Sequence, residues 1–258
     1  MQRSIPVSVV IPSHNRASTI GAAIRTVLCQ SYCPAEIVVV NDGSEDDTAD
    51  VVRAIDSPIL RYVRQERSGA NAARNRGVSE SRSEFVAFQD SDDLWIPNKL
   101  ELQWQRLSAS GRDASFGRFI KIGNAGARLL PLERPVPRVA DVIRKKAFHK
   151  NYLSTQTLLI RKATLTGIGG FDERLKRFQD WDVLLRLVGS VAFEFHWEPL
   201  AIVNDTRGSI TRNYSAGLEA RTYILAKYSE DYARRRMSHA LARKDLALRR
   251  IAATLMMR

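Results

Sequence analysis

The sequence predicts an α/β fold in which a mainly parallel sheet is covered by helices on both faces. Along the first 110 residues, short apolar segments alternate with segments whose apolar residues recur at helical spacing. The short segments are apolar throughout, which is typical of strands buried on both faces of a parallel sheet. With 258 residues, 44% of them hydrophobic and 26% charged, the chain is large enough for one domain with a full core.

Each element of this first half follows from its local pattern. The segment Val38–Val40 is typical of the strands, and the recurrence of Ile20, Ile24 and Val27 is typical of the helices. The predicted strands are Val7–Ile11, Ile37–Val40, Ile59–Val63 and Phe85–Phe88. The predicted helices are Ser18–Gln30, Asp47–Ile55, Ala70–Ser79 and Pro97–Leu107.

The second half has a less regular pattern, and no segment in it resembles a linker. The predicted elements are strands at Ser115–Ile122, Gln156–Ile160 and Val191–His196, a loop at Pro131–Arg138 and a helix at Asp180–Val188. From Tyr214 onward the pattern is helical to the end of the chain. We therefore predict one domain of residues 1–212, with halves 1–110 and 111–212, followed by a basic helical tail of residues 213–258.

The net charge of +12 and the isoelectric point near 10.1 favour a polyanionic partner. Basic residues crowd the tail, in the runs Arg234–Arg236, Arg243-Lys244 and Arg249-Arg250. This pattern has two interpretations. It is a solvated helix face, or it is an amphipathic helix that docks on an anionic membrane surface.

No apolar stretch approaches the length of a membrane span, and no apolar signal region precedes the first predicted strand. We expect a cytoplasmic protein. The membrane-docking interpretation of the tail would add peripheral attachment to the inner face of the cell membrane. The two cysteines, Cys29 and Cys33, have no further ligands at zinc spacing and are expected to be reduced thiols.

Polar side chains follow three of the predicted strands, at the point where each strand ends. They lie in the segments Pro12–Arg16, Asn41–Ser44 and Asp90–Asp93. Ligands of open α/β sheets bind at the carboxyl ends of the strands. Clustered carboxylates such as Asp90, Asp92 and Asp93 repel one another, and a divalent cation relieves this repulsion. The alternative, that the acidic segment is a surface turn capping the next helix, does not account for the other two clusters.

The usual phosphate-binding loops do not occur in this sequence. No Gly-x-Gly-x-x-Gly follows the first strand, and no Gly-x-x-x-x-Gly-Lys-Ser/Thr is present. Phosphate groups would therefore be neutralised by a metal ion at the acidic segment and by a basic side chain, for which Arg74 is the nearest candidate.

Six segments, taken in order, resemble family-2 glycosyltransferases of the GT-A fold, of the bacterial surface-polysaccharide type. They are Val7–Asn15, Val38–Ser44, Ala72–Gly77, Phe88–Asp93, Gly169–Glu173 and Gln179–Asp182. The resemblance covers roughly residues 5–190. It implies a Rossmann-like nucleotide-diphospho-sugar transferase fold, with a nucleotide-binding half (1–110) and an acceptor-side half (111–212).

The resemblance implies that the first two strand ends form a pocket for the nucleotide. Asp42 would contact the base, commonly uracil, in a pocket lined by Pro12, Ser13 and Asn15. Arg74 would lie near the base or the diphosphate.

The resemblance also implies the metal site. Asp90 and Asp92 match the family's Asp-x-Asp, in which Asp92 would ligate Mn²⁺ or Mg²⁺ and Asp90 would support the ribose or the metal shell. Asp93 has two interpretations, as a group behind the metal ligands or as a cap of the following helix.

Asp180 matches the position of the family's catalytic base. Without the resemblance, an N-cap of the helix that follows is the simpler interpretation of this residue. Asp182 is close enough to compete for the role of base, and Arg207 is a candidate for the diphosphate contact that the family makes after its last core strand.

The function implied is that of an inverting, metal-dependent glycosyltransferase. Its donor would be a nucleotide sugar, commonly a UDP-sugar, and its acceptor a saccharide or a lipid-linked saccharide. One base and one leaving group on opposite sides of the sugar imply a single displacement with inversion. A basic nucleic-acid- or membrane-binding protein without catalysis is the alternative that the charge permits. A nucleic-acid partner is not expected, because no base-reading module is evident. A nucleotidyltransferase is disfavoured by the absence of a glycine-rich loop after the first strand.

Overall fold

The computed structural model describes residues 3–124, 126–132, 134–204 and 214–234. In these ranges nine strands form one sheet, in the order β3-β2-β1-β4-β8-β6-β9-β5, with β7 paired to β6. The strands are β1 Arg3–Ser13, β2 Tyr32–Asp42, β3 Leu60–Gln65, β4 Phe85–Phe88, β5 Leu94–Trp95, β6 Ala114–Gly123, β7 Gly126–Leu130, β8 Leu159–Arg161 and β9 Phe193–Asn204. The helices are α1 Ile20–Leu28, α2 Thr48–Arg53, α3 Ala70–Glu80, α4 Lys99–Ser110, α5 Val139–Lys146, α6 Lys162–Gly167, α7 Gln179–Ser190, α8 Tyr214–Lys227 and α9 Ser229–Arg234.

The first half is the predicted parallel sheet. β1 pairs in parallel with β2 and β4, and β2 pairs in parallel with β3. The domain contains two large hydrophobic cores, and alternate residues of β1 pack into different ones. Val9 packs with Ile24 of α1 in the first core, and Val10 packs with Phe88 in the second core. Both faces of these strands are therefore removed from water, which explains their continuous apolar sequences. The four strands and four helices predicted here are confirmed.

The second half is mixed and departs from the prediction in several elements. β8 runs antiparallel to β4, β6 runs antiparallel to β8, and β9 runs parallel to β6. The strand predicted at Gln156–Ile160 is wrong in its first part, because Thr155–Thr157 form a 3-10 turn and β8 begins only at Leu159. Three elements of this half were missed, β7, α5 and α6, and in the first half the two-residue strand β5 was missed. β5 and α6 are short and β7 is largely exposed, so these three have no strong apolar pattern. In α5, Val139, Val142 and Ile143 recur at helical spacing, but the helix has only eight residues.

Helices α8 and α9 pack against the second core of the domain. Ile224 and Leu225 of α8 and Tyr232 of α9 are buried there with Phe148 and Trp181. The helix predicted from Tyr214 is confirmed as far as residue 234, with a break at Tyr228. The boundary at residue 212 stays a prediction, and the last 24 residues, with most of the basic runs, lie outside the described residues.

None of the described helices combines the length and the hydropathy required to cross a bilayer.

Candidate active site

The parallel register brings the three polar strand ends to one edge of the sheet. Ser13, the last residue of β1, lies level with Asn41 of β2, and Val10 lies level with Phe88 of β4. The segments that follow these strands therefore leave the sheet side by side, as the sequence predicted.

The segment after β1 is held against the segment after β2. Asn15 has a positive φ of 50°, and its backbone N–H donates to Ser44 Oγ at 2.9 Å. Its side-chain Oδ1 accepts a hydrogen bond from Glu45 N at 2.9 Å. Pro12 and Ser13 are buried in the end of β1, so of the three predicted pocket residues only Asn15 is exposed.

Asp42 has a structural role that the sequence did not reveal. Its Oδ1 accepts hydrogen bonds from Gln65 Nε2 at 2.7 Å and Ser68 N at 2.8 Å, and its Oδ2 accepts one from Gly69 N at 2.8 Å. Only 4% of the residue is exposed. Asp42 thus fixes the segment that leads into α3, and its contact with a nucleotide base stays a prediction.

Arg74 connects α3 to the acidic segment. Its Nη2 donates to Asp90 Oδ1 at 2.7 Å and its Nη1 to Asn71 Oδ1 at 2.9 Å, while the guanidinium lies over the ring of Phe171 at 5.6 Å. A guanidinium supplies several donors in a fixed fork, which suits this position between two acceptors. The predicted proximity of Arg74 to Asp90 is thus present in the structure.

The three aspartates of the acidic segment have different environments. The side chains of Asp90 and Asp92 are 29% and 21% exposed, and Arg16 Nη2 lies 3.6 Å from Asp92 Oδ2. Asp93 is buried and accepts a hydrogen bond from Asn204 N at 2.8 Å. Burial, together with the charges of Asp90 and Asp92, raises the pKa of Asp93 to about 8. Asp93 does not cap α4, which begins only at Lys99.

Asp90 and Asp92 suit a hard divalent cation that is shared with a ligand. Both are partly exposed carboxylates at a strand end, and Arg74 and Arg16 already compensate part of their charge. In the described ranges no three His, Cys, Asp or Glu side chains are grouped as a complete metal site. Mg²⁺ and similar ions commonly take one or two carboxylates and complete their coordination with phosphate oxygens and water. A cation here would therefore depend on a phosphate ligand.

Asp180 lies in the first turn of α7, and Phe178 is the N-cap of that helix, so the capping interpretation of Asp180 is wrong. Its Oδ1 accepts a hydrogen bond from Trp181 N at 2.8 Å, and its side chain also bonds that of Asn151. Burial raises the pKa of Asp180 to about 6, against the opposing effects of these hydrogen bonds and of the Arg74 charge.

Asp182 does not compete with Asp180 for the role of base. It is fully buried and accepts hydrogen bonds from Arg186, from Lys227 Nζ at 2.7 Å and from Tyr228 Oη at 2.8 Å. A carboxylate with these partners is held inside the protein and is not open to a substrate. Arg207, the other candidate from the sequence, lies outside the described residues.

Two asparagines of α3 hold the segment that precedes α7. Asn71 Nδ2 donates to the carbonyls of Asp172 and Leu175, at 2.9 and 2.8 Å. Asn75 Oδ1 accepts from Phe171 N at 2.9 Å, and its amide donates back to the Phe171 carbonyl at 2.9 Å. α3 therefore joins the two halves of the domain. In the sequence, Asn75 was visible only as part of the Ala72–Gly77 motif, and Asn71 lies outside that motif.

Asn151 and Gln156 were missed by the sequence analysis. Asn151 bonds Asp180, and Gln156 Oε1 accepts a hydrogen bond from Asp90 N at 2.9 Å. The segment between them therefore touches both the acidic segment and the proposed base. Neither residue has a spacing signal, because each acts on a residue far away in sequence.

The sheet and the arrangement of its strand ends define the GT-A class of nucleotide-diphospho-sugar transferase folds. The chain belongs to glycosyl transferase family 2, whose profile matches residues 8–171. The matched range contains the three strand ends and α3, and it ends before α7.

The chain is similar to two named bacterial proteins. Escherichia coli WfgD, described as a UDP-Glc:alpha-D-GlcNAc-diphosphoundecaprenol beta-1,3-glucosyltransferase, is 38% identical over 119 residues, which are 46% of this chain and 47% of WfgD. The succinoglycan biosynthesis protein ExoU of Rhizobium meliloti (strain 1021) is 32% identical over 201 residues, which are 72% of this chain and 58% of ExoU. The similarity thus spans about half of WfgD and less than two thirds of ExoU.

Two solved structures share the fold. Staphylococcus aureus TarS matches with a TM-score of 0.67 and 20% identity over 86% of this chain and 66% of TarS. The mannosyltransferase PcManGT of Pyrobaculum calidifontis matches with a TM-score of 0.68 and 19% identity over 97% of this chain and 75% of PcManGT. At these identities the likeness concerns the fold alone.

Proposed function

We propose that this chain is an inverting glycosyltransferase that moves a sugar from a nucleoside-diphosphate donor, a UDP-sugar, to a hydroxyl of a saccharide or lipid-linked acceptor. The observation that carries the proposal is the position of Arg74. It hydrogen-bonds Asp90, and its charge acts on Asp180. A carboxylate pair suited to a metal diphosphate and a separate carboxylate with a raised pKa therefore both interact with the same guanidinium.

The relatives support a nucleotide-sugar donor. WfgD is described as taking UDP-Glc, and TarS has been crystallised with UDP and with UDP-GlcNAc. PcManGT has been crystallised with GDP-Man and Mn²⁺. We infer a UDP-sugar for this chain, with GDP as the competing nucleotide, and Mn²⁺ or Mg²⁺ as the ion.

Within the proposed reaction, the described residues have separate tasks. Asp90 and Asp92 would hold the cation, which when bound supplies positive charge to the departing diphosphate. Arg74 would hold Asp90 in place and add positive charge beside it. Asp180 would accept the proton of the acceptor hydroxyl, and a pKa of about 6 leaves it deprotonated at neutral pH while keeping it basic enough for that task.

The stereochemical part of the proposal follows from this arrangement. A single base that activates the acceptor hydroxyl, on the face of the sugar opposite the departing nucleoside diphosphate, would give one displacement at the anomeric carbon. One displacement inverts the configuration, as in inverting glycosidases, where the base activates its nucleophile on the face opposite the leaving group.

For the acceptor, the names of the relatives supply the support. WfgD is described as acting on a diphosphoundecaprenol-linked sugar, and ExoU as a succinoglycan biosynthesis protein. We propose the assembly of a surface polysaccharide, at the cytoplasmic face of the membrane, with the basic residues after 234 as the contact to anionic lipid. A nucleic-acid partner is not proposed.

The test is calorimetric titration with UDP and GDP, with and without Mn²⁺. The wild type should bind UDP more tightly than GDP and only weakly without Mn²⁺. Asp92→Ala should weaken UDP binding at least about tenfold in Mn²⁺, because it removes a charged ligand of the cation. Asp56→Ala, at an exposed aspartate of the same domain, is the matched control and should bind like the wild type.

The second step of the test separates binding from chemistry. Asp180→Asn should bind UDP–Mn²⁺ as the wild type does and should release UDP from UDP-glucose or UDP-N-acetylglucosamine at least about a hundredfold more slowly. If the wild type binds neither nucleotide under any metal condition, the proposed function is wrong.

A further inference from the structure

The end of α8 contacts two acidic residues of the acceptor-side half at once. Lys227 Nζ donates to Asp182 Oδ1 at 2.7 Å and to Asp172 Oδ2 at 2.8 Å. The side chain of Lys227 is 25% exposed, whereas those of Asp182 and Asp172 are 0% and 8% exposed. One ammonium group therefore joins a buried residue of α7 to a buried residue of the segment before it.

Each of these acids also has a second cation. Asp182 pairs with Arg186 of its own helix, and Asp172 pairs with Arg174 Nε at 3.0 Å. Burial alone would raise the pKa of Asp172, but hydrogen bonds from Arg174, Lys227 and Tyr223 hold it well below its usual range. Because neither acid would lose all of its positive partners, removing the Lys227 ammonium would break the link between them without leaving a buried charge alone.

The two acids are attached to two different parts of the proposed active site. Asp182 follows Asp180 by two residues at the beginning of α7. The carbonyl of Asp172 accepts a hydrogen bond from Asn71 of α3, and Asn71 also holds Arg74, which binds Asp90. A continuous series of contacts therefore runs from the acidic segment through α3 and Lys227 to the helix that carries Asp180.

We propose that Lys227 is a positioning residue, through which helix α8 holds the first turn of α7, and with it Asp180, in place relative to the donor site. The inference rests on the proposed function, because it assumes that Asp180 is the base. It assigns a role to a residue 56 positions beyond the range that matches the family profile.

The groups around Asp180 set its pKa, and this pKa should change if α7 is displaced. The charged groups facing it are the guanidiniums of Arg74 and Arg177, and its hydrogen-bond donors are Asn151 and Trp181 N. If the first turn of α7 loosens, water reaches Asp180. Its pKa then falls from about 6 toward the ordinary aspartate value.

The experiment compares Lys227→Met with Lys227→Arg and with Glu219→Gln, a charge change at an exposed position of the same helix. UDP binding in Mn²⁺ is measured by calorimetry. Turnover is measured as UDP release from UDP-glucose or UDP-N-acetylglucosamine between about pH 4.5 and 8, a range that spans the ordinary and the raised aspartate pKa.

For Lys227→Met we expect unchanged UDP affinity, turnover lowered about tenfold at neutral pH, and an acid limb displaced to lower pH. Lys227→Arg should recover most of the turnover and the wild-type acid limb, and Glu219→Gln should match the wild type. A Lys227→Met protein with wild-type turnover and pH profile would overturn the inference. So would one that loses UDP binding in parallel with turnover, because Lys227 would then support the whole domain.

The wild type and Asp180→Asn separate this inference from the proposed function. If Asp180→Asn keeps full turnover, or if the wild type neither binds UDP nor hydrolyses either donor, the proposed function itself fails. If Asp180→Asn is inactive and Lys227→Met is indistinguishable from the wild type, only the role of Lys227 is wrong.

Discussion

Asp180→Asn should stabilise the protein while it removes the activity. The reason is the raised pKa of Asp180, about 6 in the folded protein against the ordinary aspartate value of 3.8. A raised carboxyl pKa means that the ionised form is less favourable in the folded protein than in the unfolded chain. An amide of nearly the same shape does not carry that cost.

The magnitude follows from the size of the shift. A rise of about 2 pKa units corresponds to a ceiling of about 3 kcal/mol. The amide also gives up the attraction of Asp180 to Arg74, and Asp180 is only partly buried, so the expected gain is smaller. We expect the free energy of unfolding at pH 7.5 to rise by about 1–2 kcal/mol, and the Tm by roughly 2–8 °C.

The pH dependence of stability independently checks the sign of the effect of Asp180→Asn. Between about pH 4 and 6, the folded protein binds a proton at Asp180 that the unfolded chain does not, so the wild type loses stability as the pH rises through this window. The difference between variant and wild type should therefore be complete above pH 6 and should disappear below about pH 4. Urea unfolding of both proteins at several pH values measures this difference in the free energy of unfolding.

The matched control is Asp182→Asn, two residues away. Asp182 is fully buried between Arg186, Lys227 and Tyr228, so its amide would face buried cations without compensation. The free energy of unfolding of this variant should be lower than that of the wild type by about 3 kcal/mol or more. Opposite signs at the two positions would support the assignment of Asp180 as a base kept in an unfavourable environment. An Asp180→Asn protein that is less stable than the wild type at pH 7.5 would refute it.

Two further predictions concern α3. In Gly77→Ala, the added Cβ would lie 2.2 Å from Val10 Cγ1, so the free energy of unfolding in urea should fall by about 1–3 kcal/mol. Gly167→Ala, where the added Cβ meets nothing within 4 Å, should change it little. In Arg74→Lys, one ammonium replaces the guanidinium fork that holds Asp90, so calorimetry should show UDP–Mn²⁺ affinity weakened about tenfold. Unchanged affinity would mean that Arg74 does not support the donor site.

Much of the candidate site could be predicted because its location depends on where the buried strands of the parallel sheet end. Strands buried on both faces must be apolar throughout, and polar residues at their carboxyl ends must then meet at one edge. Asp90, Asp92 and the Asn15 segment were found in this way, and the structure places them at that edge. Asp180 was found differently, through the order of motifs, because its own pattern is also that of a helix cap.

The parts that could not be predicted depend on contacts between residues far apart in the chain. Asn71 bonds a carbonyl 104 residues away, and Lys227 bonds Asp182 across 45 residues. Each is a single polar residue on a helix, without the periodicity by which an apolar face is recognised. Asp42 shows the same limit, because both of its oxygens bind the segment before α3, which nothing in its strand-end position indicates.

The sequence by itself determined the class of fold, the edge of the sheet where the site lies and the family, because apolar periodicity and motif order are properties of the chain alone. The tertiary structure alone decided which carboxylates are exposed and which are buried. Asp93 and Asp182 resemble their neighbours in sequence, but burial and partners make one a group with a raised pKa beside Asp90 and Asp92 and the other the centre of an ion network. Solvation and the positions of distant cations set the free energy of a carboxylate, and both exist only after folding.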